Sequence, residues 1–119
     1  MSDDKLTVHI GNLEDMGARF VSAWKATERG EVVNRDTVTF LGLDAFLSAM
    51  SPKRLELMRH LRRAGPMSVR ALSLGLVRDY KSVHREVALL VETGLIERRA
   101  VDIVCINWDR AVTELDLAA

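Results

Sequence analysis

The amino-acid sequence predicts an α+β fold, and three features of its apolar pattern lead to that class. Two short stretches near the N-terminus alternate apolar and polar residues, and a period of two is typical of strands. The middle of the chain carries apolar residues at helical spacing, divided by capping and turn residues. Two β-prone runs around a turn at residues 100–102 then predict a hairpin.

The first forty residues predict a strand–helix–strand unit. Residues 5–12 and 36–41 alternate in the manner of strands. Between them, residues 13–30 place their apolar side chains near helical spacing, and Gly30 is a suitable stop. At the other end of the chain, the pattern after residue 109 fits either a strand or a helix.

Two helices are predicted before residue 66. A short one covers residues 44–50, and Ser51-Pro52 then starts the next, with serine as the N-cap and proline at the first helical position. This second helix covers residues 52–64 and ends at Gly65-Pro66. Its inward stripe is predicted to consist of Leu55, Met58 and Leu61.

Two further helices follow, separated by a turn at Val77-Arg78. Ser68 is the expected N-cap of the first, over residues 69–76. Asp79 is the expected N-cap of the second, which ends at Gly94, where a left-handed glycine commonly closes a helix. The second helix repeats apolar residues at i, i+4 and i+7, which predicts a buried stripe of Val83, Val87 and Leu90.

Charge is unevenly distributed along the chain. The formal net charge is +0 at pH 7, yet residues 52–99 hold 11 Lys/Arg against 5 Asp/Glu, and the remaining residues hold 6 against 12. A basic module attracts phosphates even when the whole chain is neutral. Within this module Lys81 and Arg85 lie four residues apart, and like charges at that spacing destabilise an isolated helix. We therefore predict that the two cations contact an anion.

A helix, a short turn, a second helix and a hairpin are together the elements of a winged helix-turn-helix. In that motif the second helix enters the major groove of DNA. The side chains expected to contact DNA from this helix are Tyr80, Lys81, Ser82, His84 and Arg85. Ser68 and Arg70, at the start of the preceding helix, are expected at backbone phosphates, and Arg98 and Arg99 on a wing that touches the next groove.

The chain resembles small prokaryotic winged-helix regulators of the broad MarR/ArsR-like kind, most specifically in the run R-D-Y-K-S-V-H-R-E-V at residues 78–87. The segments S-P-K-R-L-E-L-M-R-H-L-R-R-A-G-P-M-S-V-R-A-L before this run and G-L-I-E-R after it share the resemblance. More narrowly, it looks like short DNA-binding proteins, some of which serve as antitoxins in toxin–antitoxin pairs. The resemblance covers residues 40–108 and departs at Val77, where the turn often has glycine. It implies that the DNA-reading positions are Arg78, Tyr80, Lys81, Ser82, His84 and Arg85.

These patterns divide the chain into three parts: an N-terminal extension at 1–42, a winged helix-turn-helix domain at 43–108 and a C-terminal tail at 109–119. A pseudo-palindromic operator requires a two-fold dimer. The acidic extension is therefore predicted to build a dimer interface, together with the tail, or to bind a partner. The alternative is that the extension only caps the core of the winged helix.

Several other classes of function are disfavoured by the residue content. One cysteine, Cys105, and three scattered histidines supply no pair at metal-ligand spacing, so no metal or other cofactor is expected. No P-loop, G-x-S-x-G or H-E-x-x-H motif is present, so the protein is not expected to be an enzyme. The sequence shows no signal peptide and no apolar run that could span a bilayer, which predicts a cytoplasmic protein without a membrane partner.

The leading expectation is a transcriptional regulator that binds double-stranded DNA as a homodimer and represses its own operon. The alternative is an antitoxin that binds and neutralises a cognate toxin protein, alone or in addition to binding DNA. A third reading is a degenerate winged helix that makes only protein contacts, and the presence of Lys81 and Arg85 disfavours it.

Overall fold

The computed structural model describes residues 4–11, 37–115 and 117. These residues form four helices and two three-stranded sheets, so the predicted α+β class is confirmed. In chain order the elements are β1 (Lys5–Gly11), β2 (Thr37–Leu41), α1 (Leu43–Ala49), α2 (Pro52–Ala64), β3 (Met67–Ser68), α3 (Val69–Leu76), α4 (Tyr80–Thr93), β4 (Glu97–Arg98), β5 (Ile103–Cys105) and β6 (Arg110–Thr113).

The first sheet is parallel and joins the two ends of the chain. Its strand order is β2-β1-β6, with Val8 opposite Val38 and Leu6 opposite Ala111. The strands predicted at 5–12 and 36–41 are confirmed over 5–11 and 37–41, while the helix predicted at 13–30 lies outside the described residues. The segment expected as a tail contains a strand, β6, which resolves the choice between strand and helix at residues 110–113.

The second sheet is antiparallel and has the order β3-β5-β4. β3 lies between α2 and α3 in the chain, and β4 and β5 form the predicted hairpin after α4. The region 52–105 therefore runs helix, strand, helix, helix and hairpin, with the strand before α3 added to the outer side of the hairpin.

Three predicted N-caps are confirmed by their hydrogen bonds. The Ser51 hydroxyl accepts from the backbone N–H of Arg54 at 3.3 Å, and the Ser68 hydroxyl accepts from that of Ala71 at 3.1 Å. The Asp79 carboxylate accepts from the N–H of Ser82 at 3.0 Å. Each bond satisfies one of the four N–H groups that a helix leaves without an internal partner at its start.

One hydrophobic core connects both sheets and the helices. Leu6 and Val8 of β1 belong to the same buried cluster as Leu72 of α3 and Leu90 of α4. The predicted stripe of Val83, Val87 and Leu90 is confirmed, since each is at most 1% exposed. In α2 the prediction is partly wrong. Leu57 and Leu61 are fully buried, whereas Leu55 and Met58 lie at the edge of the core.

The turn between α3 and α4 depends on Val77, which adopts the left-handed conformation with φ 54° and ψ 50°. The N–H of Val77 donates to the Leu74 carbonyl at 3.2 Å, and the N–H of Arg78 donates to the Ser73 carbonyl at 3.0 Å. This pair of bonds is the Schellman closure, in which the left-handed residue is usually glycine. The turn thus keeps its geometry with valine in that place.

A helix that spans a bilayer must be long and predominantly apolar. None of the helices in residues 37–115 is both long and apolar enough to cross a membrane.

Candidate nucleic-acid interface

The buried stripe of α4 determines which of its side chains face solvent. Because Val83 and Val87 point into the core, the positions around them in the first two turns project outward. The exposed side chains there are Tyr80, Lys81, Ser82, His84 and Arg85. These are the five that the sequence predicted to reach DNA from this helix.

Lys81 and Arg85 carry the positive charge of this surface. Neither makes a hydrogen bond or ion pair with any residue in the described part of the chain. Lying one turn apart, they present an ammonium and a guanidinium that have no acceptor in the described part of the chain. Three other exposed arginines, Arg62, Arg98 and Arg99, are hydrogen-bonded to acceptors on the protein, whereas Arg59 and Arg63 of α2 are exposed without such a bond among the described residues.

Three side chains in contact, Arg70, Tyr80 and His84, lie at the start of α4 and join it to α3. The guanidinium of Arg70 lies 5.3 Å from the centre of the Tyr80 ring. The Tyr80 ring centre lies 5.7 Å from that of His84, with the rings inclined by 47°. The cation–π contact holds Arg70 close to α4, and thus α3 and α4 present one continuous surface.

Arg78 is oriented differently from the other predicted DNA-reading residues. Its Nη2 donates to the Glu86 carboxylate at 2.7 Å, and its Nη1 lies 3.4 Å from the Lys53 carbonyl. Only 19% of the Arg78 side chain and 21% of the Glu86 side chain are exposed. The guanidinium is therefore engaged within the protein, where it links the turn before α4 to α2 and to the middle of α4.

Ser68 uses its hydroxyl as a cap and still has a hydrogen to donate. The oxygen accepts from Ala71, whereas the O–H needs an acceptor of its own. Since Ser68 stands at the N-terminus of α3, a phosphate oxygen there would meet both the hydroxyl and the positive end of the helix dipole.

The two predicted wing residues brace the hairpin. Nη1 of Arg98 donates to the Val101 carbonyl at 3.1 Å, and Nη2 of Arg99 donates to Asn107 Oδ1 at 3.1 Å. Asn107 in turn donates to the Glu97 carboxylate. Both arginines stay exposed, and no ring contact, ion pair or hydrogen bond within the described residues joins them to the group on α4.

No group of three or more His, Cys, Asp or Glu side chains within the described residues could hold a metal ion. Cys105 is buried in the hairpin strand, and its thiol lies 3.7 Å from Asn107 Oδ1. This cysteine packs as a small apolar side chain.

Comparison with known protein families adds a classification. The model of the HVO_A0114 family matches residues 49–113, more than half of the chain. The chain belongs to the HVO_A0114 family. No curated protein and no solved structure matches it. The HVO_A0114 match begins in the last turn of α1 and ends with the last residue of β6, so it includes the whole surface described above.

One residue of this HVO_A0114 surface was not predicted from the sequence. Arg54, on α2, borders a shallow depression together with Ser82 and Arg85 of α4. Its Nη1 donates to the Ser48 carbonyl at 2.7 Å, which holds the guanidinium in place. The position looks like any exposed helical arginine in the sequence, and only the approach of α2 to α4 brings it near the other cations.

Proposed function

We propose that this protein is a sequence-specific transcriptional regulator that binds double-stranded DNA through a winged helix-turn-helix, with α4 as the recognition helix. The observation that carries the proposal is the pair Lys81 and Arg85. Both are exposed, both lie in the first two turns of α4, and neither has a partner among the described residues. The N-terminal part of a recognition helix is the part that contacts base edges.

The order of elements supports the same reading. A helix, a strand, two helices joined by a short turn and a hairpin follow one another, and the single strand β3 pairs with the hairpin strand β5. In a winged helix-turn-helix, α3 would cross the DNA backbone while α4 enters the major groove, and the β4–β5 hairpin would be the wing. Ser68 and Arg70 would then lie at phosphates, and Arg98 and Arg99 beside the adjacent groove.

Within this proposal Arg78 takes a positioning role. Its internal bonds to Glu86 and to the Lys53 carbonyl fix the angle at which α4 leaves the turn. Arg85, by contrast, uses none of its five donors within the described residues and suits bidentate contact with a guanine edge. Tyr80, Ser82 and His84 would supply the remaining contacts from the same two turns.

The decisive experiment is fluorescence anisotropy with a labelled duplex taken from directly upstream of the gene, measured against a scrambled duplex across a salt series. We expect tighter binding to the upstream duplex, with an affinity that falls as salt rises because phosphate contacts release counterions. Arg85→Ala should cost about 1–3 kcal/mol on the upstream duplex and much less on the scrambled one, since it removes a base contact.

The matched control is Arg59→Ala/Arg63→Ala, compared with Lys81→Ala/Arg85→Ala. Both double variants lose two positive charges from exposed helix positions, but Arg59 and Arg63 border a groove beside β6 instead of α4. The α4 variant should lose the preference for the upstream duplex, and the α2 variant should keep it. Equal losses in the two variants, or equal affinity of the unmodified protein for both duplexes, would contradict the proposal.

Repression of its own operon is the regulatory role that follows if the upstream duplex is bound. A reporter gene driven by that upstream region should be expressed less in the presence of the protein, and the Lys81→Ala/Arg85→Ala variant should relieve this effect. Higher reporter expression with the protein would make it an activator. Neutralisation of a toxin stays a prediction, because no observation in the described residues bears on it.

A further inference from the structure

The outer edge of β6 has no role in the proposed DNA contact. β6 pairs with β1 along one edge, and no strand of the described residues pairs with the other. All four residues of β6 are exposed. An exposed strand edge presents a row of N–H and C=O groups, which is a template for one more strand.

Two residues of opposite charge flank Val112: Arg110 begins β6, and Glu114 directly follows its last residue, Thr113. Arg110 and Glu114 stand two positions before and two positions after Val112. If two identical strands pair antiparallel about Val112, Arg110 of each copy lies directly opposite Glu114 of the other. Charges on an edge strand commonly oppose pairing. In this pair an arginine faces a glutamate at both ends, so the charges would favour the pairing of the two strands.

A groove beside the edge favours the same occupant. It has a volume of about 660 Å³ and lies between α2 and β6, with an apolar wall that includes Leu55, Met58 and Trp108. Apolar side chains that leave water in such a groove stabilise an association in proportion to the area they bury. The apolar wall of the groove therefore suits an apolar side chain from a strand paired with β6, while Arg59, Arg62, Arg63 and Asp109 form the charged part of its lining.

The second copy has such a side chain at the right place. The register with β1 puts Ala111 on the face of Leu6, which is the core face of the sheet. β6 ends at Thr113, and a pairing that extended the strand by two residues would put Leu115 on the same face as Ala111. In the pair centred on Val112, Leu115 of the second copy lies opposite Asp109 and hence on the face of the groove. Leu115 is 57% exposed in the single chain, so pairing would remove apolar surface from water.

We propose that the protein forms a two-fold dimer by antiparallel pairing of β6 with β6 of a second copy, which joins two three-stranded sheets into one. The interface is isologous, as closed dimers require. The proposal rests on the strand edge, the charges of Arg110 and Glu114 and the groove, and does not depend on DNA binding, although a two-fold regulator suits a palindromic operator.

The first test is sedimentation velocity of the full chain, without DNA, over a concentration series. The unmodified protein should be a dimer. Arg110→Glu and Glu114→Arg should each raise the dimer dissociation constant roughly tenfold or more, since each puts like charges opposite one another twice. The chain that carries both changes should regain the dimer. An equimolar mixture of the two single variants should also dimerise, because the mixed pair restores both attractions.

This design separates lost pairing from lost folding. A single variant that failed to fold would not regain association on mixing with the other, and circular dichroism would report the loss directly. A monomeric unmodified protein throughout the series would overturn the proposal. A dimer whose dissociation constant is unchanged by Arg110→Glu and by Glu114→Arg would also overturn it, because another surface would then form the interface.

Cysteine cross-linking tests the register. Val112→Cys places a thiol on the two-fold axis, where directly opposite Cβ atoms in an antiparallel pair lie about 4.5–5.5 Å apart. A short bifunctional thiol reagent spans this distance, and a disulfide, which needs Cβ atoms about 3.5–4.5 Å apart, forms at its lower end. The one native cysteine, Cys105, is buried and should not compete. Val101→Cys is the control, because Val101 is 85% exposed but lies on the β4–β5 hairpin. Rapid covalent dimer formation by the first variant alone supports the pairing, and equal formation by both contradicts it.

Discussion

Val77 and Gly94 close two successive helices with the same pair of hydrogen bonds. After α3, Val77 and Arg78 donate to the carbonyls of Leu74 and Ser73. After α4, Gly94 and Leu95 donate in the same pattern, to Val91 and Leu90. The two closing residues have φ 54° and φ 96°. At the end of α4 the left-handed residue is glycine, which adopts this conformation without strain. At the end of α3 it is valine, a β-branched residue for which the same conformation costs energy.

Replacing Val77 with glycine should stabilise the fold. The left-handed conformation costs a residue with a side chain about 1–2 kcal/mol. Glycine removes that cost but makes the unfolded chain more flexible, which offsets about 0.4–1 kcal/mol. Val77 is 88% exposed, so no burial is lost. We expect Val77→Gly to raise the free energy of unfolding by about 0.5–1 kcal/mol, measured by urea denaturation.

Gly94→Val is the matched reverse change and should destabilise by more than Val77→Gly stabilises. A Cβ at Gly94 would lie 3.1 Å from Cγ2 of Val38, so strain from the backbone is joined by a tight contact with β2. If Val77→Gly were neutral or destabilising, the left-handed turn would not be strained by valine. Urea denaturation of both variants measures the two changes in the free energy of unfolding.

The Arg78–Glu86 pair should contribute to stability more than a surface ion pair. Exposed pairs contribute about 0–1 kcal/mol, and breaking a buried one costs about 3–5 kcal/mol. With about a fifth of each side chain exposed, we expect Arg78→Ala and Glu86→Ala each to cost about 1–2 kcal/mol. The double variant should cost clearly less than the two single costs added together, because the bond is lost only once.

The same cycle bears on the DNA proposal. If Arg78 positions α4, Glu86→Ala should weaken DNA binding although a carboxylate near DNA is lost, because the arginine no longer holds the turn. If Arg78 reads DNA directly, Glu86→Ala should leave binding unchanged or strengthen it, since the guanidinium is released. Anisotropy with the upstream duplex distinguishes the two roles.

Local signals explain why most helices of this fold could be predicted. The N-cap side chains of Ser51, Ser68 and Asp79 each accept a hydrogen bond from the backbone N–H three residues later. Such a bond depends only on neighbouring residues, so it can be predicted from a short segment of sequence. The stripe of α4 was also evident, because its apolar residues follow helical spacing with no competing choice. The exposed face of α4, and with it most of the candidate interface, followed from that stripe.

Relationships between distant residues could not be predicted in the same way. β6 joins β1 in parallel although they lie at opposite ends of the chain, and nothing in four residues of β6 specifies that partner. Arg78 lies in the turn before α4 and Glu86 lies within that helix. Because the turn does not follow helical geometry, their separation of eight residues does not predict the distance between their side chains. In α2, Leu55 and Leu57 both fit an inward stripe, and only the packing of neighbouring elements selects Leu57.

The choice between these two leucines gives a direct prediction. Leu57 is 0% exposed and belongs to the core, whereas Leu55 lies at the rim and borders the groove beside β6. Leu57→Ala should cost about 2–5 kcal/mol, the usual range for a buried leucine, and Leu55→Ala clearly less. Thermal and urea unfolding of the two variants measure this. Equal costs would mean that α2 is rotated about its axis relative to the structure.

Substitutions of Asp79 separate the stability of α4 from its proposed contact with DNA. Its carboxylate caps the helix, yet it also places a negative charge two residues from Lys81. Asp79→Ala should lower the free energy of unfolding by about 1 kcal/mol, and Asp79→Ser should restore most of it because a serine hydroxyl accepts the same bond. Both variants lose the negative charge, so both should bind DNA more tightly at low salt, with the gain shrinking as salt screens it. If Asp79→Ser instead bound DNA as the unmodified protein does at every salt concentration, the start of α4 would lie far from any phosphate. The recognition role of this helix would then have to be abandoned.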